Sequence, residues 1–526
     1  MGGEYDYIIV GAGSAGCVLA NRLSADPAVR VLLLEAGPRD TDPWIHIPLG
    51  YGRLFARRDV NWAYDSEPEP QLNGRRIFSP RGKVLGGSSS INGLVYIRGQ
   101  PEDFDAWEVP GWSHVELLPY FKKAQHQSRG ASALHGAGGP LAVSDLERHE
   151  LCDAFIASAQ TLGIPPNGDF NGEQQEGTGY YQATMRNGRR SSTAVEYLRP
   201  AEGRPNLRVE TEALARKILF SDRKAFAVEY TKGEKTLQAR ASREVLLCGG
   251  SFNSPQLLQL SGVGPRALLE EHGIPVVLDA PEVGEGLQDH FYCRTFWRAN
   301  KPITLNDDMA SLFRQAKIGL DYFLFKRGPL TVSAGHAAAF VRTRPELKRP
   351  DAQLYFINFS TAKRGGLLHP WSGFTISVSQ LQVESRGSVR IKSADPRAAP
   401  AIRYNYLATE NDRRVMVEGL KIARRIAHAA PLSGYIVKEE HPGAGVQTDE
   451  ELLEVLRRSG ESVFHPTSTC RMGTDERSVV DSRLRLRGIQ GLRVVDASVM
   501  PAVVSGNTNA AVIAIAEKAA DLIGNP

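Results

Sequence analysis

The hydrophobic pattern predicts buried strands near both ends of the chain and in its middle. Short apolar runs begin at residues 8, 31, 245 and 492, and glycine or an acidic residue follows each within a few positions. Short apolar runs bounded by turn residues are typical of strands buried within a sheet. A longer apolar segment, Ala510–Ile523, predicts a helix near the end of the chain.

The first two apolar runs frame a glycine-rich turn. Gly11, Gly13 and Gly16 have G-x-G-x-x-G spacing after the first run, and Glu35 ends the second. In dinucleotide-binding units such glycines allow a tight turn, close approach of a pyrophosphate and close helix–strand packing, and the acid accepts hydrogen bonds from a ribose. The pattern predicts dinucleotide binding. A glycine-rich loop of an ordinary α/β fold is the alternative, and the motif does not separate NAD from FAD.

A second loop suited to anions follows later. Gly86 and Gly87 precede three serines, and this sequence can form a nest of backbone N–H groups and hydroxyls. The alternative is a turn rich in small residues. The segment Gly249–Pro255 has a weaker version of the same pattern. Between the first two motifs, residues 38–80 are rich in proline and aromatic residues, which predicts either a cofactor cover or an irregular surface excursion.

Residues 300–460 have a different pattern. Ala352–Phe356, Phe374–Leu381 and Gly387–Lys392 are short alternating segments, which predict an antiparallel sheet. Two helices are predicted at Asp412–Ala429 and Thr448–Ser459. A sheet without strand–helix–strand spacing, inserted into a dinucleotide-binding chain, predicts a substrate domain.

Composition narrows the class of protein. The 526 residues are too many for one compact core, so two or more domains are expected. The chain has 63 basic and 59 acidic residues and no basic tract, which does not support nucleic-acid binding. Five scattered cysteines form no C-x-x-C pair, and no His/Cys spacing predicts a metal site. Without a membrane-length apolar run or room for a secretory signal, a cytoplasmic location is expected.

Five motifs together resemble the glucose–methanol–choline (GMC) oxidoreductases. They are Gly11–Gly16, Arg81–Asn92, Gly250–Gly264, His465–Gly473 and Asp496–Asn509. The resemblance runs from about residue 5 to residue 524, and is strongest to bacterial choline-dehydrogenase-like and alcohol-dehydrogenase-like members. It implies FAD rather than NAD. It also implies oxidation of a primary alcohol, or a related CH–OH group, to the aldehyde, with electrons passed to a quinone, a dye or dioxygen.

The resemblance implies an α/β plus α+β architecture. A Rossmann-like FAD-binding domain with a mixed parallel sheet is expected from residues 1–155, 203–300 and 461–526. A substrate domain with a large antiparallel sheet is expected from residues 156–202 and 301–460. The oligomeric state and the identity of the alcohol stay open.

The resemblance also implies cofactor-binding residues. The pyrophosphate loop is matched by Gly11, Gly13, Ser14, Ala15 and Gly16, and the ribose-binding position by Glu35 with its neighbour Ala36. The loop along the pyrophosphate and the flavin is matched by Gly87, Ser88, Asn92, Gly93 and Val95. Ala215 is expected near the adenine, Asp496 and Ala497 near the ribityl chain, and Asn507 and Thr508 near the flavin ring. Some relatives attach FAD through a histidine in or near the Gly-Gly loop. The matching residue here is Ile91, so we predict non-covalent FAD.

Two residues match the family's catalytic positions, His465 and Asn507. Histidine suits a general base because its ordinary pKa is about 6.5, and Pro466 restricts the backbone beside it. Asn507 can orient the substrate oxygen by a hydrogen bond. A structural role is the alternative for His465, and Asn509 is the rival of Asn507. The remaining histidines, among them His290, His336 and His369, are expected to be structural or at the surface.

Other function classes remain possible at this point. A lyase and a fatty-acid photodecarboxylase-like flavoenzyme would share the same fold, and a non-catalytic flavoprotein is a third possibility. No G-x-S-x-G elbow occurs, which argues against a hydrolase.

Overall fold

The computed structural model describes residues 3–363 and 365–524, and its first layer is a mixed sheet. Its strands lie in the order Leu207–Glu210, Val31–Leu34, Glu4–Val10, Lys235–Leu247, Lys224–Lys232 and Ala213–Ser221, and Leu492–Val494 also pairs with Lys235–Leu247. The first four strands of this order and Leu492–Val494 run parallel, and the last two join as an antiparallel meander. The apolar runs are buried on both faces because helices cover the sheet.

Helices from opposite ends of the chain pack together on this sheet. Ser14–Leu23 follows the first strand and lies against Asn509–Gly524, which is buried along most of its length. The Arg22 guanidinium donates to both oxygens of the buried Glu517 carboxylate, at 2.9 and 2.6 Å. The start and the end of the chain therefore form one unit.

The second layer is a large antiparallel sheet, as predicted. Its strands are Ile436–His441, Phe291–Ala299, Gly373–Gln380, Ala352–Ile357, Ala337–Val341 and Gly177–Tyr180, and Glu461–Ser462 pairs with Phe291–Ala299. Helices Glu150–Thr161 and Glu410–His428 pack on it around a second apolar core. The fold is thus the expected combination of a mixed parallel sheet and a large antiparallel sheet.

Some strands have partners other than those expected. Phe291–Ala299 lies in the antiparallel sheet, although residues 203–300 were expected to belong wholly to the FAD-binding domain. Gly387–Arg390 pairs with Glu285–Leu287 and Ala401–Arg403 in a separate small sheet. Residues 94–97, an apolar segment that also predicts a short strand, form only an isolated bridge, from Val95 to Ala183. Periodicity marks a strand but not its partner, which explains these differences. The domain division stays a prediction, and its outermost residues, 1–2 and 525–526, lie outside the description.

Shorter elements connect the two layers. The remaining helices are Pro43–His46, Tyr51–Leu54, Pro101–Asp105, His114–Ala124, Gly250–Leu260, Arg266–Glu271, Leu305–Ala310, Leu312–Phe325 and Asp449–Ser459, with a π-helical turn at Ala194–Leu198. The remaining strands are Tyr64–Asp65, Phe78–Ser79, Gln125–Gln127, Leu141–Asp145, Gln182–Ala183, Met185–Arg186, Arg189–Arg190, Val263–Gly264 and Leu278–Asp279. Within residues 3–363 and 365–524, no helix has the length and apolar character needed to cross a bilayer.

Candidate active site

A cavity of about 1070 Å³ runs from the glycine turn of the mixed sheet to the antiparallel sheet. It is larger than the roughly 300–1,000 Å³ of typical small-ligand pockets. Its lining contains these predicted site residues: Gly11, Gly13, Ser14, Ala15, Glu35, Ala36, Gly87, Ser88, Asn92, Gly93, Val95, Ala215, His465, Asp496, Ala497, Asn507 and Thr508. Gly16 is the predicted residue outside the lining, since it is buried between strand and helix.

The three glycines of the first turn have different surroundings. A Cβ atom on Gly11, whose φ is +102°, would lie 2.6 Å from the Cys248 carbonyl oxygen. A Cβ on Gly16 would lie 1.9 Å from the Gly11 carbonyl oxygen, so side chains are excluded at both positions. At Gly13 the nearest atom would be 3.8 Å away. Gly13 therefore leaves open space at the N-terminus of helix Ser14–Leu23, where backbone N–H groups favour phosphate.

The second glycine loop closes on the first. A Cβ on Gly87 would lie 2.6 Å from the Gly13 Cα, and Gly86 N donates to the Ala12 carbonyl at 2.7 Å. Asn92 Oδ1 accepts from Leu94 N at 3.1 Å and from the buried Arg190 guanidinium at 2.7 Å. The two loops predicted to hold the pyrophosphate, far apart in sequence, thus form one cradle.

Glu35 presents a carboxylate beside this cradle. Its Oε2 accepts from Ala12 N and its Oε1 from Gly37 N, both at 2.9 Å. Burial raises the pKa of Glu35 to about 7. Each carboxylate oxygen keeps a further acceptor position, which suits the hydroxyl donors of a ribose.

Asp496 holds part of the cavity wall in place through hydrogen bonds to other residues of the protein. Its Oδ2 accepts from Gly250 N at 2.9 Å and from Ser254 Oγ at 2.6 Å, and its Oδ1 accepts from Ser498 N at 2.8 Å. Burial raises the pKa of this carboxyl. Asp496 therefore fastens helix Gly250–Leu260 to the C-terminal loop and holds Ala497 in the cavity wall.

His465 and Asn507 meet at the other end of the cavity. The Asn507 amide nitrogen lies 3.1 Å from His465 Nε2. The rival, Asn509, instead accepts from Ser14 Oγ at 2.7 Å, so it belongs to the pyrophosphate end. The Asn507 amide oxygen is buried and accepts no hydrogen bond from any residue that the structure describes. A buried acceptor of this kind calls for a ligand donor.

The backbone around His465 is held in a rare conformation. Phe464, immediately before it, has a φ of +73°, which non-glycine residues seldom adopt. Arg81 donates to the Phe464 carbonyl at 2.6 Å, and Asp289 Oδ1 accepts from His465 N at 2.6 Å. Burial raises the pKa of Asp289. These contacts stabilise the strained turn and aim the imidazole into the cavity.

His290, expected to be structural or at the surface, contacts the candidate base. Its Nδ1 lies 3.0 Å from His465 Nδ1, and its Nε2 lies 3.1 Å from the Leu381 carbonyl oxygen. A carbonyl only accepts, so His290 carries its proton on Nε2 and its Nδ1 is an acceptor. Burial lowers the pKa of His290 to about 4, which keeps it neutral. His465 therefore carries its proton on Nδ1.

The proton positions have a chemical consequence. With its proton on Nδ1, the neutral His465 ring has its lone pair on Nε2, the nitrogen that faces Asn507 and the cavity. The Asn507 N–H donates to that lone pair, which agrees with the orientation of the amide. Sequence reasoning missed His290 because its partner is 175 positions away. The buried run that starts at Phe291, directly after it, was the one available signal of burial.

The other two named histidines lie elsewhere. His336 is buried, its Nε2 donates to the Glu147 carbonyl, and burial lowers its pKa to about 4. His369 stacks on Trp371 at 4.5 Å and lines the cavity near its opening.

The wall near His465 is mainly apolar and aromatic. It includes Tyr51, Phe55, Tyr292, Tyr355, Ile357, Phe359 and Phe464. Among the described lining residues the carboxylates are Glu35 and Asp496, and the guanidinium groups are those of Arg53, Arg81 and Arg294, of which Arg294 pairs with Glu461 at 3.4 Å.

The arrangement fits FAD. The open cradle at Gly13 suits a pyrophosphate, Glu35 suits a ribose, and the unpartnered oxygen of Asn507 lies where a ring donor could reach it. Ile91, the position of the covalent histidine in some relatives, packs in an apolar cluster with Ile45 and Val84. Non-covalent attachment stays a prediction.

Comparisons with known proteins agree with an FAD-binding site in this cavity. Family models of GMC oxidoreductases match residues 5–292 and 383–516. The chain is 46% identical over 527 residues to an alcohol dehydrogenase (acceptor) from Pseudomonas putida, covering 99% of this chain and 95% of the relative. It is 44% identical over 529 residues to an oxygen-dependent choline dehydrogenase from Pectobacterium carotovorum subsp. carotovorum, covering 99% and 94%.

Solved structures are similar over their whole length. Pyridoxine 4-oxidase from Mesorbium loti has a TM-score of 0.91 at 32% identity, with 99% of both chains covered. A formate oxidase variant from Aspergillus oryzae RIB40, studied for FAD modification, has a TM-score of 0.91 at 27% identity, covering 100% of this chain and 98% of the other. The chain therefore belongs to the GMC oxidoreductases and is an FAD-dependent enzyme of that family.

Proposed function

We propose that the protein oxidises an uncharged primary alcohol to the aldehyde, with His465 as the base. The observation that carries this proposal is the pair of contacts from His290 to His465 Nδ1 and to the Leu381 carbonyl oxygen, from which we infer that His465 Nε2 offers its lone pair to the cavity. Bound FAD supplies the acceptor for the hydride that leaves the alcohol carbon.

The side chains have separate tasks in this reaction. An imidazole nitrogen has one lone pair, so the alcohol O–H takes the place of the Asn507 N–H at His465 Nε2. The freed Asn507 N–H then donates to the alcohol oxygen and stabilises the negative charge that develops there. The alcohol proton moves to His465 Nε2, and the Nδ1–H bond to neutral His290 stabilises the resulting imidazolium.

The cavity wall supports an uncharged substrate. Apolar and aromatic residues make up much of the cavity wall, and its two described carboxylates, Glu35 and Asp496, both accept hydrogen bonds from protein groups, so neither is set aside for a cationic substrate. The relative named alcohol dehydrogenase (acceptor) supports an alcohol as the substrate. The choline dehydrogenases make choline the competing substrate. Electrons pass to a quinone or dye-type acceptor or to dioxygen. The name alcohol dehydrogenase (acceptor) supports the first kind of acceptor, and the name oxygen-dependent choline dehydrogenase supports dioxygen.

The test is anaerobic reduction of the bound flavin in the dark by a panel of alcohols that includes choline, followed by turnover with dye and with dioxygen. His465→Ala should keep its flavin spectrum but be reduced about 100- to 10,000-fold more slowly, the typical effect of losing a general base. His126→Ala, a change at an exposed histidine, is the matched control. Near-normal reduction of His465→Ala would contradict the assignment. Cyanide release, or light-dependent decarboxylation without alcohol oxidation, would support the lyase or photoenzyme alternatives.

A further inference from the structure

Helix Leu312–Phe325 exposes its apolar residues. Six of its large hydrophobic side chains are from 59% to 82% exposed, and they are Leu312, Phe313, Leu320, Phe323, Leu324 and Phe325. Tyr322 is the buried residue of this helix. A helix of a water-soluble domain normally turns its apolar stripe toward the core. This helix does the reverse.

Apart from Phe325, the exposed apolar residues form one stripe. Leu312, Phe313, Ala316, Leu320, Phe323 and Leu324 stand at positions i, i+1, i+4, i+8, i+11 and i+12 of the helix, and all are exposed. At 3.6 residues per turn these positions cover an arc of about 120°. The exposure is therefore one continuous apolar face.

Cations border this face. Residues 312–327 contain four basic residues, Arg314, Lys317, Lys326 and Arg327, and one acid, Asp321. Arg314 pairs with Asp308 at 3.5 Å and Lys317 with Asp321 at 3.2 Å, so Lys326 and Arg327 supply the net positive charge. Lys326 Nζ lies 5.0 Å from the centre of the Tyr322 ring, and the Arg327 guanidinium lies 4.7 Å from that of Phe325. A helix with an apolar face and long basic side chains beside it has the features of an interfacial membrane helix.

The apolar face continues to the opening of the cavity. The preceding helix, Leu305–Ala310, ends with Met309 and Ala310, which line the cavity. Leu367 also lines it and is 93% exposed. Because Met309 and Leu367 belong both to the exposed surface and to the cavity lining, they mark where the cavity meets solvent.

We propose that helix Leu312–Phe325 docks onto the surface of an anionic phospholipid bilayer, with the cavity opening toward the lipid. The apolar stripe enters the boundary between headgroups and acyl chains, and the basic residues contact anionic headgroups. A symmetric dimer through this face would bring the same basic residues of two copies together, whereas anionic lipid neutralises them. The helix lies on the membrane and does not cross it.

The test is flotation of the purified holoenzyme with phosphatidylcholine vesicles, with and without phosphatidylglycerol. The wild-type protein should float with the phosphatidylglycerol vesicles, and less so in high salt. A double variant, Leu320→Glu with Phe323→Glu, should bind at least about tenfold more weakly, because each buried large side chain contributes about tenfold or more to partitioning. Val115→Glu, at a position that is 72% exposed on helix His114–Ala124, is the matched control and should float like the wild type.

Three outcomes would overturn the proposal. The first is absence of flotation of the wild-type holoenzyme with the anionic vesicles, and the second is unchanged flotation of the double variant. The third is a dimer of the wild type, seen by light scattering, that the double variant dissociates, since the face would then be a protein interface. Flavin absorbance and thermal unfolding of each variant distinguish lost docking from lost folding.

Discussion

Replacing His290 by phenylalanine should slow alcohol oxidation while the flavin site stays filled. His290 Nδ1 accepts the Nδ1–H of His465 at 3.0 Å in a buried setting. Without that acceptor, the His465 Nδ1–H is a buried, unsatisfied donor, or the proton moves to Nε2. A proton on Nε2 occupies the lone pair that must accept the proton of the alcohol. An unsatisfied buried donor costs about 1–3 kcal/mol. At about 1.36 kcal/mol per factor of ten, the rate of flavin reduction should fall about 5- to 150-fold.

The measurement is stopped-flow reduction of the bound flavin under anaerobic conditions over a range of alcohol concentrations. The loss should lie in the limiting rate, with little change in the alcohol concentration at half-saturation, because His290 lines no part of the cavity. His290→Asn provides the matched control, since its amide oxygen can occupy the place of Nδ1 and accept the same proton. Reduction of His290→Phe at the wild-type rate would refute the tautomer argument, and so would a His290→Asn variant as slow as His290→Phe.

Three further changes test the cofactor site and the buried histidines. Gly13→Ala should weaken FAD binding at least about tenfold, because its methyl group would occupy space needed by the pyrophosphate. The measurement is FAD titration, with Gly203→Ala as the control because its added Cβ would meet nothing within 4 Å. Equal FAD affinities of the two variants would contradict the prediction. Glu35→Gln should weaken the affinity for FAD about 5- to 150-fold in the same titration, because the amide NH₂ group would face a donor, either a ribose hydroxyl or a backbone N–H. An unchanged affinity would exclude a role of Glu35 in binding the ribose. Burial lowers the pKa values of His290 and His336 from 6.5 to about 4, so the folded state resists their protonation. The contribution of each histidine to the free energy of unfolding should be full above about pH 6.5 and fall toward pH 4 by up to about 3 kcal/mol, while the raised pKa of Glu35 acts in the opposite direction in the wild type and the variant alike. Urea unfolding of the wild type and of His336→Phe should therefore differ in slope by the His336 contribution, and equal pH dependences would contradict this.

Local patterns predicted the elements of the fold but not all of their partners. The strand before Gly11 and the helix after it carry their own periodicity and turn residues, so they were predictable. The pairing of strand Phe291–Ala299 with Gly373–Gln380 could not be predicted, because backbone hydrogen bonds specify it and leave no pattern in either segment.

The residues of the candidate site also divide into those that local patterns predict and those that only tertiary contacts reveal. The glycine turns could be predicted, since their residue types follow from backbone geometry and close packing. His290 could not, because its importance lies in a contact with His465. Helix Leu312–Phe325 shows a third case, since its spacing predicts an apolar face without telling whether protein or solvent covers that face.

The pairing of the chain's two ends has a consequence for biosynthesis. Ser14, at the pyrophosphate turn, donates to Asn509, which is 495 positions later. At about 5–20 residues per second, the ribosome adds Asn509 roughly 25 to 100 s after Ser14. During that interval the first strand and helix lack the covering helix Asn509–Gly524. The nascent chain must therefore keep an apolar surface from aggregating until helix Asn509–Gly524 arrives, and the pyrophosphate turn is complete only once Asn509 has been added.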